Sequence, residues 1–237
     1  MDENDAVYML KHLKRVLDTN DIIYWIDCGT LLGAVRDGKI IPWDEDIDIG
    51  VWIKEFPKLT KSFEKLPKNI HYWHKEQSAN VFFKDCNVSI MVYNRKNDCA
   101  LHSYYIECNY ITGVIHSIVK LLEYEGNAIV VSRNIPIPIT KIIAKFLSKI
   151  PLKIRLKLIP ILENFHKKHS LKAIVSVPAR YFKNLSTINF YGMEFNVPSP
   201  VEEYLEFRYG EDWRIPRKDY VYYRDDGAIV SRENTKK

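Results

Sequence analysis

Apolar and polar positions divide the chain into segments of two different periods. Between Asp5 and Leu17, the residues Ala6, Met9, Leu10, Leu13, Val16 and Leu17 recur at helical spacing, with Lys11, Lys14 and Arg15 on the polar side. That predicts an amphipathic helix with a solvated basic face. The run Ile22 to Asp27, IIYWID, predicts a buried strand, and Cys28-Gly29-Thr30 then turns into a helix that begins LLGAV. From Asp46 to Ile53 the pattern DIDIGVWI alternates and then becomes strongly apolar, as a strand entering a core does. Lys54 to Leu66 predicts a helix, provided Pro57 lies in its first turn. His71 to His74, Val81 to Lys84 and Val88 to Tyr93 predict short strands, with Asp85-Cys86-Asn87 as a tight turn before the last. Ala100 to Ile111 is apolar and aromatic and predicts a further strand.

In the later half, Thr140 is placed as the N-cap of a helix running through Ile150. Lys141, Lys145 and Lys149 would share one face of it, and Ile142, Ile143, Phe146, Leu147 and Ile150 the other. Pro151 and Pro160 break the segments that follow. Ser199, Pro200 and Glu202 predict a capping box with proline at the first helical position, and Gly210 a helix end. The order of elements predicts an α/β (α+β) fold. Its mixed, mainly antiparallel-looking sheet is flanked by helices, as one domain over 1–237 with a helical insertion at about 140–170.

Composition supports a packed protein: of 237 residues, 46% are apolar and 13% aromatic, which argues against disorder. Cys28, Cys86, Cys99 and Cys108 form no CxxC pair, and no Cys/His spacing suggests zinc, so reduced and mostly buried thiols are expected. His102 and His116 are expected to be hydrogen-bonded core residues. The acidic start MDENDAVYML lacks the apolar stretch of a signal peptide, and no apolar run is long enough to span a bilayer. A cytoplasmic protein, peripheral at the inner membrane face, is the expectation. Charge changes that picture locally. Between Glu125 and Glu194 stand twelve Lys and Arg and a single acid, Glu163; twelve minus one is +11, so with a whole-chain charge of +5 the remainder is −6. The basic insertion reads either as an element for an anionic membrane or other polyanion, or as an ordinary surface helix with lysines in water.

Candidate chemistry concentrates between Ile26 and Gly50. Asp44, Asp46 and Asp48 occupy alternate positions. On a strand such side chains share a face, roughly 7 Å apart at the backbone. Carboxylates that close repel unless a cation sits between them, and Mg²⁺ is held by one or two carboxylates plus substrate phosphates. Asp46 and Asp48 are the candidate ligands of Mg²⁺ (or Mn²⁺). Gly29 and Thr30, at a strand-to-helix turn, expose backbone N–H groups suited to phosphate oxygens, and Arg36 and Lys39 add positive charge.

The stretch DCGTLLGAVRDGKIIPWDEDIDIG resembles the signature of the LicD family, which includes the fukutin-related proteins. A second block, Val177 to Pro216, resembles that family's carboxyl-terminal pattern of apolar strand, proline, short helix and Tyr-Gly-x-x-Trp. The resemblance implies a nucleotidyltransferase-like fold. It also implies transfer of a phosphorylated alcohol, such as phosphocholine or ribitol phosphate, from a CDP-linked donor to a glycan or glycolipid hydroxyl, as in lipopolysaccharide or teichoic acid, with no nucleic-acid partner. On that reading Asp46 and Asp48 hold the metal on the donor pyrophosphate, with Asp44 as an outer or third ligand. Gly29, Thr30, Arg36 and Lys39 hold the donor phosphates. The family also implies an aspartate at the start of the Val88–Tyr93 strand, where this chain has Ser89, with Asp85 nearby. Two alternatives stay open: nucleotidyl transfer from an NTP, and a non-catalytic binding protein on the same fold.

Overall fold

The computed structural model describes residues 1–75, 77–106, 110–123, 137–147 and 149–234. In chain order the elements are α1 (Glu3–Thr19), β1 (Tyr24–Ile26), α2 (Cys28–Arg36), β2 (Ile47–Trp52), α3 (Phe56–Ser62), β3 (His71–Lys75), β4 (Ser78–Phe83), β5 (Cys86–Lys96) and β6 (Cys99–Ile106). Then follow α4 (Tyr110–Glu123), α5 (Ile137–Leu147), α6 (Leu152–His169), β7 (Leu171–Pro178), β8 (Ser186–Phe190), β9 (Met193–Val197), α7 (Val201–Tyr209), the single-turn α8 (Tyr222–Asp225) and β10 (Ile229–Asn234). Contacts divide the chain into two compact units: 1–102 with 175–230, and 103–174 with 231–237.

The fold is mixed α/β, with helices flanking a mixed sheet of order β1-β2-β5-β6-β7-β10 and the β3–β4 ribbon joined to β5 through β4. In the first unit, β1 runs antiparallel to β2, while β2 and β5 run parallel with Asp48 opposite Ser89. A parallel pair needs a long crossover; here it contains α3 and the β3–β4 ribbon. Helix α1 buries the apolar face its spacing predicts: Ala6, Met9, Leu10, Leu13, Val16 and Leu17. Its first turn is capped by Asp2, whose carboxylate accepts from the Asp5 N–H at 3.0 Å. On β2, Ile47, Ile49 and Val51 are buried. Gly50 has a specific reason to lack a side chain: a Cβ there would lie 2.2 Å from the Trp25 indole nitrogen. The indole thus lies against the strand backbone, and Trp52, Tyr93 and Phe182 surround it.

Beneath this aromatic cluster the core holds charge. Asp27 is fully buried, between β1 and α2. One carboxylate oxygen accepts from the Cys28 N–H at 2.8 Å and from the Tyr204 hydroxyl; the other accepts from Trp25 Nε1 at 3.1 Å and the Tyr93 hydroxyl at 2.9 Å. The Arg208 guanidinium lies 3.6 Å away and donates to the Tyr204 hydroxyl at 2.8 Å. It also grips Asp226 at two points, 2.8 and 2.6 Å, and Asp226 accepts from the Ala228 N–H at 2.9 Å. Tyr204 and Arg208 are four apart on α7, so they share a face.

In the second unit, α4 and α6 pack together, and the buried Arg155 of α6 donates to the carbonyls of Ile150 and Leu122, capping the end of α4. His166 meets His116 with ring centroids 5.7 Å apart. Among the described residues, no helix is long and apolar enough to cross a membrane.

Several element boundaries differ from the sequence reading. The strand expected over Ala100 to Ile111 ends at Ile106, and Tyr110 and Ile111 begin α4, an apolar helix whose first residues have strand-like composition. Helix α5 starts at Ile137, so Thr140 is interior and not its N-cap. Pro138 falls in the first turn, where a missing N–H breaks no helical bond. Lys149 and Ile150 lie in the turn that follows. Pro160 does not break α6 but sits inside it. The capping box at Ser199 does not form: Pro200 takes the N-cap position of α7 without a side-chain bond, while Gly210 ends that helix as expected, at φ +90°. Cys108 and Arg133, and the side chain of Lys141, lie outside the described residues.

Removing one partner of a buried, hydrogen-bonded charge pair leaves the other unpaired and costs about 3–5 kcal/mol. Arg208→Met should therefore lower the unfolding free energy by about that amount in urea titration. A loss below about 1 kcal/mol would mean that Asp27 and Asp226 do not depend on the guanidinium.

Candidate functional site

The aspartate stretch folds onto the amino-terminal turn of α2. Cys28, Gly29 and Thr30 are already helical, with Asp27 as N-cap, so the expected turn lies one residue earlier. Cys28 occupies the left-handed region at φ +45°. Its Sγ lies 3.2 Å from Arg208 Nη2 and 3.4 Å from the Met91 sulfur, and burial pushes its thiol pKa well up. A thiol so placed is a packing group, not a nucleophile.

A turn over Ile41 to Asp44, closed by the Asp44 N–H to the Ile41 carbonyl at 2.9 Å, brings the chain back to the helix. There the Asp44 carboxylate rests on Gly29: a Cβ at Gly29 would stand 2.2 Å from Asp44 Oδ2. Gly33 has a similar reason, because a Cβ on it would meet the Lys39 carbonyl at 2.6 Å. Asp46 immediately precedes β2, and Asp48 is its second residue. Two bonds fix the start of this strand: the Asp48 N–H donates to Thr30 Oγ1 at 2.9 Å, and the Asp27 N–H to the Asp48 carbonyl at 3.1 Å. Thr30 is buried, and its hydroxyl positions the Asp48 backbone.

From the neighbouring β5, Ser89 faces this cluster and donates from Oγ to Asp46 Oδ2 at 2.8 Å. Asn80 and Asn87 flank that hydroxyl at 3.4 Å each, and Asn87 Oδ1 is buried with no hydrogen-bond partner among the described residues. Asp85 sits in the hairpin turn four residues before Ser89, about 13 Å away along an extended strand. The β2–β5 register thus puts Ser89, and not Asp85, opposite Asp48.

The carboxylates carry more negative charge than their surroundings stabilise. Burial, then the charges of Asp46, Asp44 and Asp27, hold Asp48 well above the ordinary carboxylate range, against the pull of Arg208. Burial and then Asp46 push Asp44 up to about 7, opposed by the Glu45 N–H. Among the described residues, no three His, Cys, Asp or Glu side chains close a metal shell by themselves. The donor set fits a hard cation that takes its remaining oxygens from substrate and water.

Of the expected phosphate ligands, Gly29 and Thr30 stand beside the aspartates. Arg36 stands at the other end of α2, about 10 Å along the helix from Gly29, whereas the Lys39 backbone folds back onto Gly33, its N–H donating to the Gly33 carbonyl at 3.3 Å. Arg36 grips its neighbour Asp37 at two points, 2.9 and 2.7 Å, and Lys39 is exposed. Sequence reasoning missed Asp27, Tyr93, Tyr204, Arg208 and Asp226. Only Asp27 carried a local signal, an N-cap residue type directly before a helix.

Residues 21–122 match the family model for the LicD/FKTN/FKRP nucleotidyltransferase domain. That match covers less than half of the chain. Uncharacterized protein RP689 of Rickettsia prowazekii is 37% identical over 92 residues, 38% of this chain and 34% of that protein. Ribitol 5-phosphate transferase FKRP of Homo sapiens is 42% identical over 45 residues, 19% of this chain and 9% of that protein. The chain thus spans about a third or less of the length of these curated relatives. Among solved structures, the antibiotic-resistance factor ANT(2'')-Ia superposes with a TM-score of 0.36 at 13% identity, covering 71% of this chain and 100% of that one.

Because the folded pKa of Asp44, about 7, exceeds its unfolded value, its contribution to stability is present in full below the unfolded pKa and is lost as pH rises through about 7. In EDTA, the melting temperature should therefore fall between about pH 4 and 7, and Asp44→Asn should flatten that fall. Parallel curves for the two proteins would show that Asp44 is not held protonated by the fold.

Proposed function

We propose that this protein transfers a phosphorylated alcohol from a CDP-linked donor to a hydroxyl of a glycan or glycolipid. The observation that carries the reading is the convergence of Asp44, Asp46 and Asp48 on the first turn of α2. It is supported by a relative named as a ribitol 5-phosphate transferase, aligned over a short stretch.

Asp46 and Asp48 would hold Mg²⁺ (or Mn²⁺), with Asp44 as an outer or third ligand. Bound there, the cation would offset charge on the donor pyrophosphate and the departing CMP. The chain's own residues arrange that site. Thr30 fixes the backbone of Asp48, the Ser89 hydroxyl holds one oxygen of Asp46, and Gly29 leaves space for Asp44 against the helix. The α2 N–H groups favour a phosphate oxygen approaching that end. Arg36 would act on phosphate only from the far end of α2 and would first exchange its Asp37 partner, while Lys39 starts from a backbone held beside Gly33, about one turn from Gly29.

Product analysis tests the proposal. With a panel of CDP-alcohols and Mg²⁺, CMP should be released, and EDTA or Asp46→Asn with Asp48→Asn should abolish the release. Pyrophosphate from an NTP, with no CMP from any CDP-alcohol, would assign nucleotidyl transfer instead.

Ser89 favours a second reading, a donor-binding protein with little turnover. A serine is no general base at neutral pH without help, and such assistance is worth about 10²–10⁴-fold in rate. Ser89→Asp should raise turnover at least about tenfold without tightening donor binding, a decade being about 1.4 kcal/mol of barrier. Fast wild-type turnover that Ser89→Asp reduces would show that the hydroxyl suffices.

A further inference from the structure

The second unit turns apolar side chains outward in an ordered way. On α6, Ile154, Leu158, Ile161 and Phe165 are between 43% and 66% exposed. At about 100° per residue they fall within a stripe about 60° wide. The buried residues of the same helix, Arg155, Ile159 and His166, point about 110° away from that stripe. The apolar stripe is therefore a second face, separate from the one packed in the core. On its other side lie the exposed Lys153, Lys157 and Lys168. Helix α5 repeats the design: Ile139, Ile142 and Phe146 are exposed within a stripe of similar width, with Lys145 beside them. The sequence left open a membrane or polyanion element and an ordinary surface helix; Ile142 and Phe146 face out.

Ordinary surfaces scatter such residues singly and rarely line them up. An apolar stripe edged by lysines along one side is the pattern of a helix lying in a bilayer interface, its apolar side among acyl chains and its ammonium groups at lipid phosphates. Charge selects the occupant: between Glu125 and Glu194 the chain carries twelve basic residues and only Glu163 as an acid.

We infer that α5 and α6 form a monotopic docking surface for an anionic lipid bilayer, inserting Ile142, Phe146, Ile161 and Phe165 and pairing Lys153, Lys157 and Lys168 with headgroup phosphates. This surface needs no assumption about the donor or the reaction.

Vesicle co-sedimentation of the full chain tests it, using phosphatidylcholine with and without phosphatidylglycerol. The wild type should sediment with the anionic vesicles and weaken as salt rises from about 0.1 to 1 M, where the Debye length falls from about 10 to 3 Å. Serine at Ile142, Phe146, Ile161 and Phe165 should reduce binding at least about tenfold. Glutamine at Lys153, Lys157 and Lys168, which leaves the apolar stripe intact, should do the same on anionic vesicles. Circular dichroism checks that both variants keep the fold. Binding that survives the serine set would overturn the proposal, because charge alone would then account for it. Failure of the wild type to bind either vesicle would also overturn it. So would a wild-type oligomer that the serine set makes monomeric and vesicles do not dissociate, which would assign the stripe to a second copy of the chain.

Discussion

A carboxylate buried at a strand-to-helix junction must find donors for both oxygens or lose its charge. Asp27 meets that condition with groups from well-separated parts of the chain: the Trp25 indole beside it, Tyr93 from β5, and Tyr204 with Arg208 from α7. Because these donors reach one point, the amino-terminal strand pair, the central strand and the carboxyl-terminal helix have fixed relative positions within the first unit. The start of α2 is fixed with them, through the Cys28 N–H. The candidate site inherits that rigidity, since Gly29 and Thr30 are the next residues along.

The carboxylates that face the site follow the opposite rule. Asp44 and Asp48 are held where burial and neighbouring carboxylates raise their proton affinity, and among the described residues no three His, Cys, Asp or Glu side chains close a metal shell there. Asp27, close by, is neutralised inside the protein by Arg208. Paired charge holds the architecture together, and charge left over is available to a ligand. The two functions sit a few residues apart because the same junction carries both.

What could be read from the sequence divides along the same line. Features set by local period or residue type were legible: the apolar face of α1, the strand after Asp46, the spacing of the three aspartates, and Gly210 as a helix end. Features set by partners distant in sequence were not. Nothing near Asp27 announces Arg208, and nothing near Asp46 announces that Ser89 will donate to it across the parallel pair. Where local signals competed, packing decided. Tyr110 and Ile111 have strand-like composition yet begin a helix, and Pro138 admits helix before the better capping residue Thr140. The outward apolar stripes of α5 and α6 were hidden for a different reason: periodicity identifies a face but not whether that face meets protein or solvent.

The reach of the Asp27 web bears on how the protein can be divided. The stretch that the family model matches ends at residue 122, and Tyr204 and Arg208 lie far beyond it, in the second block, Val177 to Pro216. A fragment cut to the family boundary would retain Asp27, Trp25 and Tyr93 while losing the guanidinium that balances the charge. The matched stretch and the charge-paired core therefore have different limits in this chain. A piece that keeps the whole web extends through α7 to Asp226. During synthesis, the buried carboxylate has no counter-ion until that last part of the chain has emerged.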